Sequence, residues 1–211
     1  MTYASMLRAI VALAASISLA GCTALSAIGD ATTSLEVYEL RAPNRIPTAQ
    51  GRTLPYEVTI ELPTTSGALE TDRIMIRPNS LQAQYLPDVR WSEPVPVMVQ
   101  TLMLRSIEAT EGVRYVARQP LAANGDFAVV TELTDFQAEL GDDEKAATVR
   151  MRLIARIVRE DDASIVASRT FVSAAQSPSL DTNDLAKSFD TASGILFSDF
   201  ATWVLSVLKA R

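Results

Sequence analysis

The cysteine and histidine content of this chain of 211 residues restricts the chemistry that it can do. The chain has one cysteine, Cys22, and no histidine. A single cysteine cannot form a disulfide within the chain, and metal sites and thiol nucleophiles usually draw on histidine or on further cysteines. Attachment of another group is the chemistry that remains for Cys22, so the residues around it decide its interpretation.

Cys22 follows a segment with the layout of a secretory signal. Arg8 precedes an apolar run over about residues 9–19, and the small residues Ala20 and Gly21 stand directly before the cysteine. An apolar run of roughly a dozen residues is too short to span a bilayer. The alternative, a cysteine buried in a core, does not explain the signal and its spacing.

The four residues Leu19, Ala20, Gly21 and Cys22 resemble the bacterial lipobox at every position. The resemblance implies cleavage before Cys22, a diacylglyceryl group in thioether linkage to its sulfur, and an acyl group on the new amino terminus. Two or more acyl chains make a stable membrane anchor, whereas one chain is marginal. By resemblance to lipoprotein sorting in bacteria with two membranes, Thr23 in place of aspartate implies the periplasmic side of the outer membrane.

Three regions follow from this interpretation. We expect a lipoprotein signal peptide over residues 1–21, starting at Met1 or at Met6. Residues 22–34 are rich in Ala, Ser, Thr and Gly, which predicts a lipidated flexible tether. Residues 35–211 have a length and an apolar content that suit one domain.

The charge balance restricts the partners of the mature chain. Loss of Arg8 with the signal leaves 18 basic side chains against 25 acidic ones, a net charge of −7. This charge disfavours broad binding to nucleic acid or to anionic surfaces. We therefore expect no nucleic acid among the partners, and self-association into a homo-oligomer stays open.

Hydrophobic alternation predicts eight strands. The strand over 56–62 is expected to be half-buried, with Glu57 on its polar side. The last three strands are long, and the short turns between them require antiparallel neighbours. The predicted strands cover residues 34–40, 56–62, 72–78, 81–87, 113–118, 126–140, 147–159 and 164–174.

Two segments have helical spacing. A helix is predicted over about 93–109, with Ser92 able to cap it. A longer helix follows Pro178, with Asp181 or Thr182 as its cap and a continuous apolar stripe. The predicted fold is α+β, an antiparallel or mixed sheet of about six to eight strands with two helices packed on one face.

The chain resembles the ABC-type transport auxiliary lipoprotein family over its whole mature domain. The most telling segment is Arg90-Trp91-Ser92-Glu93-Pro94, preceded by Tyr85-Leu86. The order of the other motifs agrees: the lipobox at Cys22, "YEL" at 38–40, "IMIRP" at 74–78, "DFQAEL" at 135–140 and the helix of Trp203.

This resemblance implies an accessory part of an ABC transporter whose substrate-binding subunit carries a mammalian-cell-entry domain and which moves phospholipids or other hydrophobic molecules. The implied partners are that subunit and, through the lipid anchor, the membrane. Two alternatives stay open: a module that shelters a lipid tail between helices and sheet, which needs an apolar pocket, and a structural envelope lipoprotein without a transport role.

Four further side chains are candidates for contact with a partner or a lipid. Trp91 combines a large apolar body with a polar N–H, although we expect it to pack the first helix onto the sheet. Arg150, Arg152 and Arg156 alternate along one strand and could bind phosphates. We expect instead a solvated face on which Glu132 and neighbouring carboxylates balance them.

Enzymatic activity is not expected. Without histidine, a general base would have to be Asp, Glu, Lys or Tyr, and the carboxylates cluster in turns between predicted strands. The chain has no Gly-rich phosphate loop, no G-x-S-x-G and no Cys-x-x-Cys. We predict no catalytic residues, no metal site and no cofactor besides the lipid groups on Cys22.

Overall fold

A computed structural model of the chain describes residues 35–43, 46–49, 51–121, 125–141 and 145–210. The predicted signal peptide, the lipobox with Cys22 and the tether lie outside these described residues.

The described residues form two helices and one mixed sheet of nine strands. The helices are α1 (Val95–Glu108) and α2 (Thr182–Lys209). The strands are β1 (Glu36–Tyr38), β2 (Leu54–Ile60), β3 (Thr64–Thr65), β4 (Arg73–Asn79), β5 (Gln82–Trp91), β6 (Val113–Ala117), β7 (Phe127–Leu140), β8 (Ala147–Arg159) and β9 (Ser164–Ser177).

Strand β7 organises the sheet. Along one edge it pairs antiparallel with β8, which in turn pairs antiparallel with β9. Along its other edge β7 meets β2, β3 and β4 in succession, all parallel to it. Strand β4 continues to β5 and β1, and β2 continues to β6.

The α+β class is confirmed, with one strand more than the upper end of the predicted range. All eight predicted strands are present, and the ninth is β3. Its two residues pair with Glu132 and Leu133 of β7. A strand of two residues has no hydrophobic period, so only its tertiary pairing identifies it.

The core lies between the helices and one face of the sheet. Alternate residues of β8, from Val149 to Ile157, are fully buried, which is the face expected from period-two alternation. Helix α2 packs on β8 and β9, α1 packs on β2 and β6, and the two helices contact each other.

Helix α2 begins and packs as predicted. The side chain of its N-cap residue Asp181 accepts a hydrogen bond from the backbone N–H of Asn183 at 2.9 Å. By length and composition alone this helix is long and apolar enough to cross a membrane, but more than half of its most apolar window is buried in the fold. Phe189 and Phe200 on its stripe are fully buried, so α2 is a core helix.

Two details differ from expectation. Helix α1 has Pro94 as its N-cap and no side-chain cap, so Ser92 does not cap it. Glu57 is only 7% exposed, because its carboxylate accepts a hydrogen bond from the backbone N–H of Leu121, in the loop after β6. The alternating pattern of β2 could not predict a loop that covers its polar side.

Candidate partner-docking surface

The sheet has a second face, which points away from the helices. Strands β7, β8 and β9 pair along most of their length, with one register shift in each pairing, so their outward side chains share this face. On β9 these side chains are exposed, and on β8 they are mostly half-buried. We call this surface the open face; it consists of Glu132, Asp135, Gln137, Glu139, Thr148, Arg150, Arg152, Ile154, Arg156, Ser168, Thr170, Val172, Ala174 and Gln176.

The three arginines singled out from the sequence lie together on the open face. Arg150 binds Glu139, with 3.0 Å between Nε and Oε2. Arg152 stands opposite Asp135 in the register, and neither it nor Arg156 forms an ion pair with another described residue.

Glu132, expected to balance these arginines, lies opposite Ile154. The register of β7 against β8 shifts between Leu133 and Asp135. Beyond this bulge Asp135 stands opposite Arg152, and Glu139, opposite Thr148, reaches the neighbouring Arg150 with its side chain. The carboxylates of the open face therefore balance only part of the positive charge of the three arginines.

A polar cavity of about 390 Å³ adjoins Glu139. Gln137, only 2% exposed, donates to Asp135 at 3.4 Å and to Glu139 at 3.3 Å through its amide nitrogen. The cavity suits a polar group rather than a lipid tail. Its lining consists of Arg77, Asn79, Ser80, Asp135, Gln137, Glu139 and Leu140.

The β8–β9 turn neutralises a further arginine. Arg159 pairs with Asp162, with 3.4 Å between Nη1 and Oδ2. Hydrogen bonds from the side chain and the backbone of Ser164, together with the charge of Arg159, hold the pKa of the Asp162 carboxyl below its ordinary value. The carboxylate in this turn is therefore ionised, and its charge is balanced by an arginine of the same chain.

Trp91 lies in the core. It is 1% exposed, and its ring packs edge-on against that of Phe136 in β7, with 5.9 Å between ring centres, and against that of Phe189 in α2, at 5.1 Å. Its contacts with these two rings join the sheet to the second helix. Its indole Nε1 is buried without a hydrogen-bond partner. The ring is not available to a partner in this conformation.

Arg169 is a charged residue of this region that the sequence reasoning missed. It is the only charged residue of β9, is exposed, and places its guanidinium 4.9 Å from the ring centre of Phe171. A lone charge within a strand of small and apolar residues was the available signal. Within the described ranges, no group of three or more Cys, Asp or Glu side chains has the arrangement to hold a metal ion.

Comparison with known proteins identifies a family and a fold. A family model described as "ABC-type transport auxiliary lipoprotein component" matches residues 38–201. The fold is similar to that of protein XCC0632 from Xanthomonas campestris, with a TM-score of 0.74, 21% identity, and coverage of 82% of this chain and 97% of that one. No curated protein matches the chain significantly.

Two further solved structures share the fold at lower similarity. An uncharacterized protein has a TM-score of 0.61 and 14% identity, covering 81% of this chain and 99% of its own. The hypothetical protein CT253 from Chlamydia trachomatis has a TM-score of 0.50 and 12% identity, covering 74% and 99%. At these identities the similarity concerns the fold alone.

Proposed function

Because the chain belongs to the family of ABC-type transport auxiliary lipoprotein components, we propose that it is the non-catalytic accessory lipoprotein of a lipid-moving ABC transporter. The family match over residues 38–201 is the observation that carries this proposal. The transporter's substrate-binding subunit carries a mammalian-cell-entry domain and is the protein partner. The transported molecules are phospholipids or other hydrophobic compounds passing between the two membranes.

The lipid anchor determines where in the envelope the domain contacts this partner. Acyl groups on Cys22 hold the chain at the periplasmic side of the outer membrane. The dozen residues of 23–34 reach at most about 40 Å at full extension. The domain therefore works close to the outer membrane, where it supplies a docking point for the periplasmic part of the transporter.

The packing of the described residues supports docking over lipid shelter. A module that holds a lipid tail needs an enclosed apolar pocket. The space between helices and sheet is instead filled by fully buried rings, among them Phe136, Phe189 and Phe200. Four hollows in the described parts of the chain are 280 to 410 Å³ in volume, and each has charged residues in its lining.

Affinity isolation from crosslinked cells tests the proposal. The full chain, tagged at its carboxyl end and expressed at its native level, is expected to bring down a mammalian-cell-entry subunit with its permease and ATPase. A tagged outer-membrane lipoprotein of another family is the control. Recovery of outer-membrane proteins alone would favour a structural envelope role and contradict the proposal.

A further inference from the structure

Strand β9 has one edge without a neighbouring strand in the described part of the chain. Its fourteen residues pair with β8 along the other edge, from Ser164 to Ser177. At the carboxyl end, the carbonyl of Gln176 accepts a hydrogen bond from the hydroxyl of Ser188 at 3.1 Å, so α2 closes that end. We call the remaining stretch, Ser168–Ala174, the open edge.

The backbone of the open edge has groups available for pairing. In a strand, the N–H and C=O of one residue point to the same edge, and the next residue points to the other. Since the carbonyl of Gln176 turns away from β8, those of Ala174, Val172, Thr170 and Ser168 do so too. No backbone hydrogen bond from another described segment reaches them. Such a row of groups is a template for an added strand.

The charged side chains of β8 and β9 are all basic. Strands β8 and β9 together carry five arginines and no acidic residue, in a chain of net charge −6. Arg150 and Arg159 use their charge in ion pairs with Glu139, Asp161 and Asp162. Arg152, Arg156 and Arg169 have no such pair with any described residue.

The open edge has few of the usual guards against pairing. Proline, lysine and inward-pointing charges commonly protect a sheet edge. The open edge has neither proline nor lysine, and its one charge is Arg169, on the helix side of the sheet opposite Ala155. Val172, on the open face, is 56% exposed. The edge therefore admits a strand that can balance Arg169.

We propose that the open edge accepts an extended acidic segment of a partner protein as an additional strand. One carboxylate of the segment faces Arg169, and carboxylates on the open face approach Arg152 and Arg156, two strand spacings or about 10 Å away. This inference goes beyond the transport role, because it concerns one edge of the sheet and holds for any protein partner in the envelope.

Two other occupants fit less well. A second copy of β9 provides no carboxylate, and antiparallel pairing near the middle of the open edge brings two Arg169 side chains together. Lipid phosphates accept hydrogen bonds but do not donate them, so they would leave the edge carbonyls unpaired. A protein strand provides donors, acceptors and negative charge in one element.

Photocrosslinking in cells tests the inference on the full chain. A photoreactive phenylalanine analogue replaces Thr170 on the open edge, and the matched control carries it at Leu62, which is 53% exposed elsewhere. Val172→Pro removes one edge N–H that makes no bond to β8, and Val172→Thr keeps it. Arg169→Glu reverses the central charge, and Arg169→Lys preserves it.

We expect position 170 to crosslink a segment of another protein with carboxylates at alternate positions. Val172→Pro and Arg169→Glu are expected to lower the yield by roughly tenfold or more, with the two control substitutions near the parent level. A yield at position 170 no higher than at position 62, or crosslinks only to phospholipid or to a second copy, would overturn the inference. If Val172→Pro fails to fold, Arg169→Glu alone decides the test. An unchanged crosslinking yield in Arg169→Glu would also overturn the inference.

Discussion

At the residue scale, Trp91 illustrates how packing decides the role of a side chain with a polar group. The rings of Trp91, Phe136 and Phe189 all contact one another, and together they join the sheet to α2. Because Nε1 has no hydrogen-bond partner, the contribution of Trp91 to stability comes from buried apolar area and ring contacts.

Trp91→Ala is therefore expected to lower the free energy of unfolding by about 3 to 5 kcal/mol. Trp91→Phe is expected to cost clearly less, since it keeps a ring and loses no hydrogen bond. Urea denaturation of both variants measures the difference. A cost below about 1 kcal/mol for the alanine variant would indicate a surface residue and contradict the structure.

The arginines of β8 show how far residue positions can be predicted. Period-two alternation places Arg150, Arg152 and Arg156 on one face, and the structure has them there. Their acidic neighbours could not be predicted, because the bulge after Leu133 sets the register of β7 and no local pattern marks it. Arg169 is the single charge of its strand and forms no repeating pattern with other charges, so only its isolation among small and apolar residues marks it.

At the scale of elements, substitution by alanine is expected to change stability differently at two glycines, one inside α2 and one beside it. Gly194 lies inside the helix, and a Cβ built on it has no atom within 4 Å. A Cβ on Gly112 would lie 2.5 Å from Cδ2 of Leu205 and 3.1 Å from Cβ of Ala49. One site has room for a methyl group, and the other requires its neighbours to move.

Gly194→Ala is expected to stabilise the protein by about 0.5 to 1 kcal/mol, because alanine restricts the unfolded chain and favours helix. Gly112→Ala is the matched control, and no gain is expected from it. Thermal unfolding followed by circular dichroism measures both. Destabilisation by Gly194→Ala would show that the outer surface of α2 is occupied at that point.

The long elements could be predicted and the short or covered ones could not. The 28-residue helix α2 and the strands β7 to β9 have enough residues for their periods to be clear. Strand β3 has only two residues, and Glu57 has a polar pattern that tertiary contacts override. Both exceptions depend on segments distant in sequence, which periodicity does not contain.

At the scale of the whole molecule, the proposed lipid anchor at Cys22 leads us to expect definite outcomes for two substitutions near the predicted signal. Cys22→Ser is expected to leave an uncleaved precursor without acyl groups, since a hydroxyl is a much weaker nucleophile than a thiolate. Mass spectrometry of the amino-terminal peptide measures this. Normal cleavage and membrane fractionation of this variant would refute the assignment of Cys22.

Thr23→Asp tests the destination separately from the attachment. We expect this variant to be acylated normally and to fractionate with the inner membrane rather than the outer one. Density-gradient separation of the two membranes measures the distribution. An unchanged outer-membrane distribution would contradict the sorting role assigned to Thr23, and an inner-membrane location of the parent chain would contradict the proposed destination.

The proposed role makes this chain and a mammalian-cell-entry transporter parts of one lipid transport system. Its most direct test measures phospholipid movement between the membranes in strains lacking the chain, the transporter subunit, or both. We predict equal defects in all three strains, with restoration of the first by the full chain and not by Cys22→Ser. A double deletion more severe than either single deletion, or a normal rate without the chain, would contradict the claim.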